Sequence, residues 1–301
     1  MSLTVRVPAS SANLGPGFDA LGLALALHDE VDVEVTAAGL NIDVTGEGAG
    51  TVPRDEGHLV VRALRAALDA LGRPQPPGLA LRCRNAIPHG RGLGSSAAAV
   101  VAGVAAGYAL AGADLDATER AGRALQLAAA FEGHADNAAA SLLGGLVLVW
   151  SCEGRFHAMR LEPHPDLAPV LLVPVTMSAT ETTRGLLPQL VPLADAAFNA
   201  GRAALAVHAL TARPDLLLAA TADRLHQPYR RPAYPTTAAL VDALRERGVA
   251  AAVSGAGPAV LALTAGTALP AMPVDGFEVR PMAVEPAGVR IGNVAGTRTV
   301  D

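Results

Sequence analysis

The sequence predicts a mixed α+β protein built in two halves. Strand-like and helix-like segments do not alternate strictly along the chain, which argues against a doubly wound parallel sheet. A proline-rich stretch at residues 161–169 separates two groups of segments. Apolar residues make up 51% of the 301 positions but aromatic residues only 3%, so the core must consist mainly of Ala, Val and Leu. We therefore predict one domain over residues 1–160 and a second over residues 161–301.

Strands of the first half are predicted where apolar residues alternate or cluster over a few positions. These segments are Val5 and Val7, residues 21–27, residues 31–37, residues 79–88 and residues 144–150.

Helices of the first half are predicted from apolar residues at helical spacing. In residues 57–71 the apolar stripe consists of Val60, Val61, Leu64, Ala67, Leu68 and Leu71. Residues 95–111 are nearly all apolar, which indicates a buried helix. A further helix should carry Leu125, Leu127 and Phe131. Either Asp114 or Asp116 could cap that helix.

The second half is predicted to begin with a strand over residues 170–174. Helices should follow near residues 180–187, 193–210, 214–226 and 236–247. Residues 249–263 are interpreted as a strand, a tight glycine turn and a second strand.

The composition argues against several classes of function. The net charge is −5 and no long basic run occurs, which disfavours nucleic-acid binding. No apolar run reaches the roughly 18–20 residues that cross a bilayer, and the first residues lack the order of a secretory signal. Cys83 and Cys152 lack metal-ligand spacing, so neither a disulfide framework nor a zinc site is expected. We predict a cytoplasmic protein that binds neither nucleic acid nor membrane.

The absence of lysine excludes two common kinds of site. All 23 basic residues are arginine. A Walker-A loop needs a lysine at the terminal phosphates, and a pyridoxal phosphate enzyme needs a lysine for its Schiff base. Neither can be present in this chain.

Residues 88–103, PHGRGLGSSAAAVVAG, place alternating glycines directly before the predicted buried helix. Backbone N–H groups at a helix start have no internal partners and attract anions. Gly90, Gly92 and Gly94 would let a phosphate approach closely, because no Cβ intervenes. An ordinary glycine turn with a serine cap is the alternative, and this pattern alone does not separate the two.

Two further glycine-bearing stretches carry groups that suit a small ligand. Residues 8–22 contain Asn13, which offers a donor and an acceptor, and Asp19, which offers an anion. Residues 254–260 form either a hairpin turn or a second backbone wall that faces the ligand. Turn formation alone would also explain these polar residues.

A cluster of ionisable residues follows the predicted apolar helices. Glu132, His134 and Asp136 lie within EGHAD, and a glutamate at a helix end could ligate Mg²⁺. Each of these residues alone would be an ordinary polar residue at the protein surface. Together with the glycine-bearing stretches, the cluster supplies what phosphoryl transfer needs, namely a backbone cradle, a metal ligand and a substrate clamp.

Four segments occur in an order that resembles the GHMP superfamily of small-molecule kinases. They are PASSANLGPGFDALG, NAIPHGRGLGSSAAAV, EGHADNAAASLLGG and SGAGPAVLAL. The first and third resemble most closely the homoserine kinase branch. The resemblance implies an α+β fold with a ribosomal-protein-S5-domain-2-like N-terminal domain, a ferredoxin-like C-terminal domain and an active site between them. It also implies ATP and Mg²⁺ as cofactors, L-homoserine as substrate and a homodimer as the family-level assembly.

The same resemblance assigns roles to individual residues. The loop that binds the ATP phosphates would consist of Pro88, His89, Gly90, Arg91, Gly92, Leu93, Gly94, Ser95, Ser96, Ala97 and Ala98. Ser96 and Glu132 would hold Mg²⁺. The homoserine pocket would contain Asn13, Asp19, His134, Arg184, Arg230 and Gly257. Asp19 would face the substrate ammonium and the two arginines its carboxylate, with Arg231 as the alternative to Arg230.

The sequence alone leaves three points undecided: the catalytic residues, the adenine contacts and the exact function. Asp136 and Asn137 are the candidate catalytic residues; they are interpreted as supporting or orienting groups, because the hydroxyl proton can pass to the phosphate itself. His58 stands where the family often has asparagine, in a segment associated with the nucleotide, so the adenine contacts are undecided. Another GHMP kinase, or a catalytically silent ligand-binding homologue, is the alternative function.

Overall fold

The computed structural model describes residues 2–175, 183–266 and 268–293. The strands in this part of the chain are β1 (Ser2–Asn13), β2 (Gly17–Thr36), β3 (Gly39–Gly46), β4 (Gly78–Asn85), β5 (Leu146–Cys152), β6 (Arg155–Leu161), β7 (Leu167–Pro174), β8 (Ala250–Val253), β9 (Val260–Ala265), β10 (Phe277–Pro281) and β11 (Arg290–Asn293). The α-helices are α1 (Leu59–Ala70), α2 (Ser95–Ala111), α3 (Ala117–Glu119), α4 (Leu125–Glu132), α5 (Asp136–Leu143), α6 (Leu193–Thr211), α7 (Leu217–Ala220), α8 (Gln227–Arg230) and α9 (Pro235–Glu246). A π-helical segment covers Arg120–Ala124, and short 3₁₀ helices cover Thr183–Leu186, Pro214–Leu216 and Arg231–Ala233.

The described strands form two sheets. The larger sheet has the order β11-β1-β2-β4-β3, and β5 and β6 continue it from β2. Its β3–β4 pair is parallel, whereas its other pairs are antiparallel. The smaller sheet has the order β10-β7-β9-β8 and is antiparallel. The predicted α+β fold class is confirmed.

Helix α2 lies at the centre of the larger core. Eleven of its 17 residues are buried, as a helix that is apolar on all sides requires. Helices α1 and α5 and strand β1 cover it. This packing holds the N-terminal end of α2 in a fixed position relative to both β1 and the start of α5.

The smaller sheet takes part in two cores, because successive side chains of a strand face opposite sides. On β9, Leu261 and Leu263 pack into the larger core. Val260 and Ala262 face the other way and belong to a second core, to which α9 contributes Leu244. One face of the smaller sheet therefore joins the two halves of the chain.

Most of the predicted helices are observed. The helices expected at residues 57–71, 95–111, 193–210 and 236–247 correspond to α1, α2, α6 and α9. The helix expected to carry Leu125 and Phe131 is also present. Asp116 Oδ1 accepts the Glu119 N–H at 2.9 Å, so Asp116 rather than Asp114 caps α3, which the π-helical segment separates from α4.

The strands expected at residues 21–27 and 31–37 are one continuous strand, β2. The polar residues between them find partners without leaving the sheet. His28 Nε2 lies 2.7 Å from Glu285 Oε2, and Asp29 Oδ1 accepts the Ile87 N–H at 2.9 Å. Because these groups are satisfied, the polar interruption in the sequence does not end the strand.

The helix expected at residues 214–226 was wrong beyond Ala220. In the segment that follows, the Asp223 carboxylate accepts the backbone N–H groups of Leu225, His226 and Gln227, and a separate helix, α8, begins at Gln227. Of the helix expected near residues 180–187, residues 180–182 lie outside the described part of the chain. Residues 183–186 form a 3₁₀ helix.

The chain returns to its first sheet at its last described strand. β11 is paired with β1 through Leu3–Asn293 to Arg6–Arg290.

The division into domains at residues 160 and 161 stays a prediction. None of the helices in the described residues combines the length and the apolarity needed to cross a membrane.

Candidate active site

The three glycine-bearing stretches lie against one another. Ser254 Oγ, in the third stretch, lies 2.7 Å from Ser11 Oγ in the first and 2.7 Å from Gly92 O in the second. The Ser10 N–H donates to Leu93 O at 3.1 Å and so joins the first stretch to the second. Segments that are far apart in the sequence thus form one continuous polar structure.

Gly92 has no room for a side chain. Its φ is 75°, in the left-handed region that favours glycine, and a Cβ at this position would overlap Ser254 O. The Cβ position of Gly94 would likewise overlap Ser10 Oγ. Both glycines are therefore required by contacts between the three stretches.

The N-terminus of α2 offers free backbone donors. The first helical hydrogen bond runs from the Ala98 N–H to Gly94 O at 2.8 Å, so the N–H groups of Ser95, Ser96 and Ala97 have no partner within the helix. The first turn contains no acidic side chain. An anion at this end would gain these donors together with the positive end of the helix dipole.

A cavity of about 430 Å³ opens beside this helix end and is called the apolar cavity below. Its wall contains the apolar residues Val31, Val52, Pro53, Leu59, Val60, Ala99 and Ala102. His58 also lines it and is only 5% exposed. Its Nδ1 finds no hydrogen-bond partner among the described residues.

The predicted phosphate loop contributes part of its length to the cavity walls. His89, Gly90, Ser95, Ser96 and Ala98 line the apolar cavity. The remaining loop residues, Pro88, Arg91, Gly92, Leu93, Gly94 and Ala97, line neither this cavity nor the next one. Among them, Gly92 and Leu93 hold the loop against the other two glycine-bearing stretches, because their carbonyl oxygens accept hydrogen bonds from Ser254 and Ser10.

A second cavity, of about 440 Å³, is called the charged cavity below. It is lined by every residue that was predicted for substrate binding or catalysis, namely Asn13, Asp19, His134, Asp136, Asn137, Arg184, Arg230 and Gly257. Glu132 also lines it. The wall therefore presents groups of both charge signs to a ligand.

Asp19 and Arg184 form a bidentate ion pair in this wall. Arg184 Nη2 lies 2.7 Å from Asp19 Oδ1, and Nη1 lies 3.2 Å from Oδ2. Asp19 has a φ of 54°, which is uncommon for a residue other than glycine. Asn13 stabilises this turn, because its Oδ1 accepts the Asp19 N–H at 3.1 Å while its Nδ2 donates to Gly255 O at 3.0 Å.

Arg230 is a buried cation, only 2% exposed. Its Nη1 lies 3.2 Å from His226 Nδ1 and 3.4 Å from Gly255 O. Its Nε finds no hydrogen-bond partner, and none of the ion pairs formed among the described residues includes it. Burial lowers the pKa of Arg230. Arg231 instead pairs with Asp242 at 2.6 Å on the surface, so Arg230 is the arginine that lines the cavity.

Phe18 packs against three of these side chains. The guanidinium carbons of Arg184 and Arg230 lie 5.4 and 5.5 Å from the centroid of its ring. The ring of His226 lies 5.3 Å away, centroid to centroid. Contacts of a cation with an aromatic face stabilise by about 0.5–2 kcal/mol. Neither Phe18 nor His226 was identified from the sequence, since a lone aromatic residue and a lone histidine carry no functional signal there.

A chain of hydrogen bonds begins at the start of α5. His134 Nδ1 lies 2.9 Å from Asp136 Oδ1, which also accepts the Asn137 N–H at 2.8 Å. Asn137 Oδ1 accepts the Ser10 hydroxyl at 3.0 Å. The hydrogen bond that the His134 ring donates to the Asp136 carboxylate raises the pKa of His134. Asp136 is only 2% exposed, so its carboxylate acts mainly on these two neighbours.

Ser96 and Glu132 connect the two cavities. Ser96 lines the apolar cavity and Glu132 the charged cavity, and the Ser96 hydroxyl hydrogen-bonds to the Glu132 carboxylate. Burial raises the pKa of Glu132, against the opposing effect of that hydrogen bond. In the described part of the chain, no group of three or more His, Cys, Asp or Glu residues is placed to hold a metal ion.

Asp29 lies in the wall of the apolar cavity and gives a prediction for the pH dependence of stability. Burial raises its pKa to about 6, although its carboxylate accepts two backbone N–H groups. The value for an unperturbed aspartate is 3.8. As the pH rises from 3.8 to about 6, the carboxylate therefore stays protonated more readily in the folded state than in the unfolded state, and the free energy of unfolding decreases.

Asp29→Asn keeps the accepting oxygen and removes the charge. Its free energy of unfolding relative to the wild type should therefore increase by about 2 kcal/mol between roughly pH 4.5 and pH 7.5. Urea unfolding of both proteins at the two pH values measures this change. A difference that is the same at both would show that the carboxylate is not protonated more readily in the fold.

Comparison with known proteins places the chain in a family. The models for the N-terminal and C-terminal domains of GHMP kinases match residues 58–145 and 191–270. A homoserine kinase of Rhodococcus erythropolis is 58% identical, covering 88% of this chain and 86% of its own. One of Streptomyces avermitilis is 58% identical, covering 87% and 85%. The crystal structure of homoserine kinase from Cytophaga hutchinsonii matches with a TM-score of 0.82 at 27% identity, covering 96% and 97%. The chain therefore has the two-domain GHMP kinase fold and belongs to the homoserine kinase family.

Proposed function

We propose that the protein is an ATP-dependent kinase that phosphorylates the side-chain hydroxyl of L-homoserine, yielding O-phospho-L-homoserine for threonine biosynthesis. Relatives that match most of the chain are named homoserine kinases. The structural observation that carries the proposal is the pair of cavities connected at the N-terminus of α2 through Ser96 and Glu132. One cavity suits a nucleotide and the other a small charged acceptor.

ATP is proposed to occupy the apolar cavity, with its phosphates at the N-terminus of α2. An apolar wall suits a nucleobase, and free N–H groups at a helix start suit phosphate oxygens. The lysine-free chain offers no Walker-A lysine. The phosphates would therefore be held mainly by the backbone of the loop and of the first helical turn.

The charged cavity suits an amino acid better than a neutral sugar or a simple carboxylate. Asp19 is proposed to receive the ammonium group, and Arg184 and Arg230 the carboxylate. The assignment of Arg230 is better supported than that of Arg184, because a buried guanidinium without a carboxylate partner gains most from binding one. Asn13, His134 and Gly257 line the same wall and are proposed to complete the pocket.

Mg²⁺ is proposed to bind at Ser96 and Glu132. A hydroxyl and a carboxylate are oxygen ligands of the kind that Mg²⁺ prefers, and this ion commonly takes only one or two protein ligands beside substrate phosphates. The half-buried Glu132 carboxylate, whose pKa is raised, would also be stabilised in its charged form by a cation. When bound, Mg²⁺ would neutralise charge on the phosphates.

The protein is proposed to act by positioning rather than through a dedicated base. In-line transfer joins the hydroxyl oxygen to the γ-phosphorus and breaks the bond to the ADP oxygen. Asp136 already accepts hydrogen bonds from His134 and Asn137 and is buried. It therefore orients His134, while the hydroxyl proton passes to an oxygen of the transferred phosphoryl group.

Purified protein with ATP and Mg²⁺ should release ADP when L-homoserine is added, and phosphorus NMR should detect O-phosphohomoserine. Chelation of the metal should stop the reaction. The analogue 4-hydroxybutyrate has the same hydroxyl and carboxylate but no ammonium, and it should react poorly. ADP release with mevalonate or a sugar, and none with homoserine, would contradict the proposed substrate and favour another GHMP kinase. ATP binding without turnover of any of these compounds would favour a silent homologue.

The cytoplasm as compartment, predicted from the composition, and a homodimer as assembly, implied by the family resemblance, both stay predictions. Gel filtration with light scattering would measure the assembly directly.

A further inference from the structure

We infer that His226 is a positioning residue that holds the guanidinium of Arg230 in the orientation needed to receive the substrate carboxylate. This inference rests on the proposed function, since it takes Arg230 to be a carboxylate-binding residue. His226 itself does not line either cavity and is 0% exposed. It must therefore act through Arg230 rather than on the substrate.

The hydrogen bonds of His226 fix which of its ring nitrogens carries the proton. Nδ1 lies 3.2 Å from Arg230 Nη1, and an arginine can only donate, so Nδ1 must be the acceptor. Nε2 lies 2.7 Å from Gly15 O, and a carbonyl oxygen can only accept, so Nε2 must carry the hydrogen. The neutral ring with its proton on Nε2 satisfies both contacts at once. A protonated ring would have no lone pair to offer Arg230.

The backbone of His226 is held as firmly as its ring. Asp223 accepts the N–H groups of His226 and Gln227 at 3.1 and 2.8 Å. Gln227 Oε1 in turn accepts the Val253 N–H at 2.8 Å, which fixes the start of α8 against β8. The His226 ring also packs on Phe18.

His226 connects the two ends of the proposed substrate site. Gly15, which accepts its Nε2 hydrogen, lies in the same stretch as Asn13 and Asp19. Arg230, which donates to its Nδ1, lies on the helix that follows. The ring therefore sets the distance between the loop proposed to bind the ammonium and the arginine proposed to bind the carboxylate.

Two substitutions separate the hydrogen bonds of the ring. In His226→Asn the amide oxygen can stand in for Nδ1 and accept from Arg230, while the bond to Gly15 is lost. In His226→Gln the amide nitrogen can stand in for Nε2 and donate to Gly15, while the acceptor for Arg230 is lost. Each variant removes one hydrogen bond of a buried ring, so each serves as the control for the other.

The two variants should differ in their KM for L-homoserine. We expect a rise of about tenfold or more in His226→Gln and of less than about threefold in His226→Asn. The KM for ATP should change less than about twofold in both. The midpoint temperature of thermal unfolding should fall by similar amounts in the two variants, because each variant loses one buried hydrogen bond. A purely structural role would instead lower kcat and thermal stability together and leave the two homoserine KM values equal.

A measurement on the ligand-free wild type tests the tautomer independently of folding in the variants. The ¹⁵N chemical shifts of the His226 ring should report a proton on Nε2 and none on Nδ1. A proton on Nδ1 would overturn the inference, and so would equal homoserine KM values in the two variants of an active enzyme. Absence of homoserine-dependent ADP release in the wild type would contradict the proposed function itself, and with it the role given to Arg230.

Discussion

Gly92→Ala is expected to lower kcat/KM for ATP by about 100-fold or more. The residue has a φ of 75°, which costs an L-residue about 1–2 kcal/mol. Its new Cβ would also overlap the backbone oxygen of Ser254 and lie 2.8 Å from the backbone nitrogen of Gly257. Overpacking of this kind costs about 1–3 kcal/mol. The loop must then move away from the third stretch, and a loss of about 3 kcal/mol corresponds to a factor of about 100 in rate.

The matched control is Gly112→Ala, at the opposite end of the same helix. Gly112 has a φ of 65° and a Cβ there would meet nothing within 4 Å, so the variant carries the backbone strain without the overlap. It should lose some thermal stability and keep the wild-type kcat/KM for ATP. Steady-state kinetics with ATP varied at saturating homoserine compares the two. Equal losses of activity would mean that backbone strain, rather than contact between the stretches, accounts for the effect.

Arg230→Met is expected to raise the KM for L-homoserine by about 100-fold. The substitution keeps a long apolar stem against Phe18 and removes the buried charge. Charge-assisted hydrogen bonds of an arginine to a carboxylate are among the stronger contacts in a site, and losing such a partner from a buried position costs about 2–5 kcal/mol. The KM for ATP should stay within about twofold of the wild type, because Arg230 lines only the charged cavity.

Arg231→Met is the control for this variant. It removes the same charge one residue further on, from a side chain that pairs with Asp242 at the surface. Exposed ion pairs contribute about 0–1 kcal/mol, so the homoserine KM should change less than about twofold. If Arg231→Met weakened homoserine binding as much as Arg230→Met did, the general loss of positive charge would explain both results.

The parts of the fold that the sequence predicted are those determined by local patterns. Helix α2 is apolar on all sides and therefore had to be a buried helix, whatever packed around it. The turn between β8 and β9 follows from the glycines that separate two apolar runs. The candidate site residues came from short motifs in a fixed order. The structure brings those of the substrate site to one cavity.

The parts that could not be predicted depend on contacts between distant segments. Strands β3, β6, β10 and β11 and helix α5 were not expected, because their sequences are short or carry little apolar periodicity. β11 has only four residues and is a strand because β1 offers it an open edge. The pairing of Asp19 with Arg184 spans 165 positions, and the contact of His226 with Gly15 spans 211. No local pattern encodes either distance.

The Asp19–Arg184 ion pair has a consequence for how the site selects its ligand. These two groups compensate each other, so a bound molecule must compete with the protein's own charges. A zwitterion replaces this one ion pair with two, one between its ammonium group and Asp19 and one between its carboxylate and Arg184, and these offset the loss of the original pair. A ligand with a carboxylate alone that engages Arg184 as well as Arg230 must displace Asp19 from Arg184 and leave that aspartate without a partner. For the proposed substrate, discrimination between amino acids and their deaminated analogues therefore depends on the Asp19–Arg184 pair as much as on contacts with the ligand.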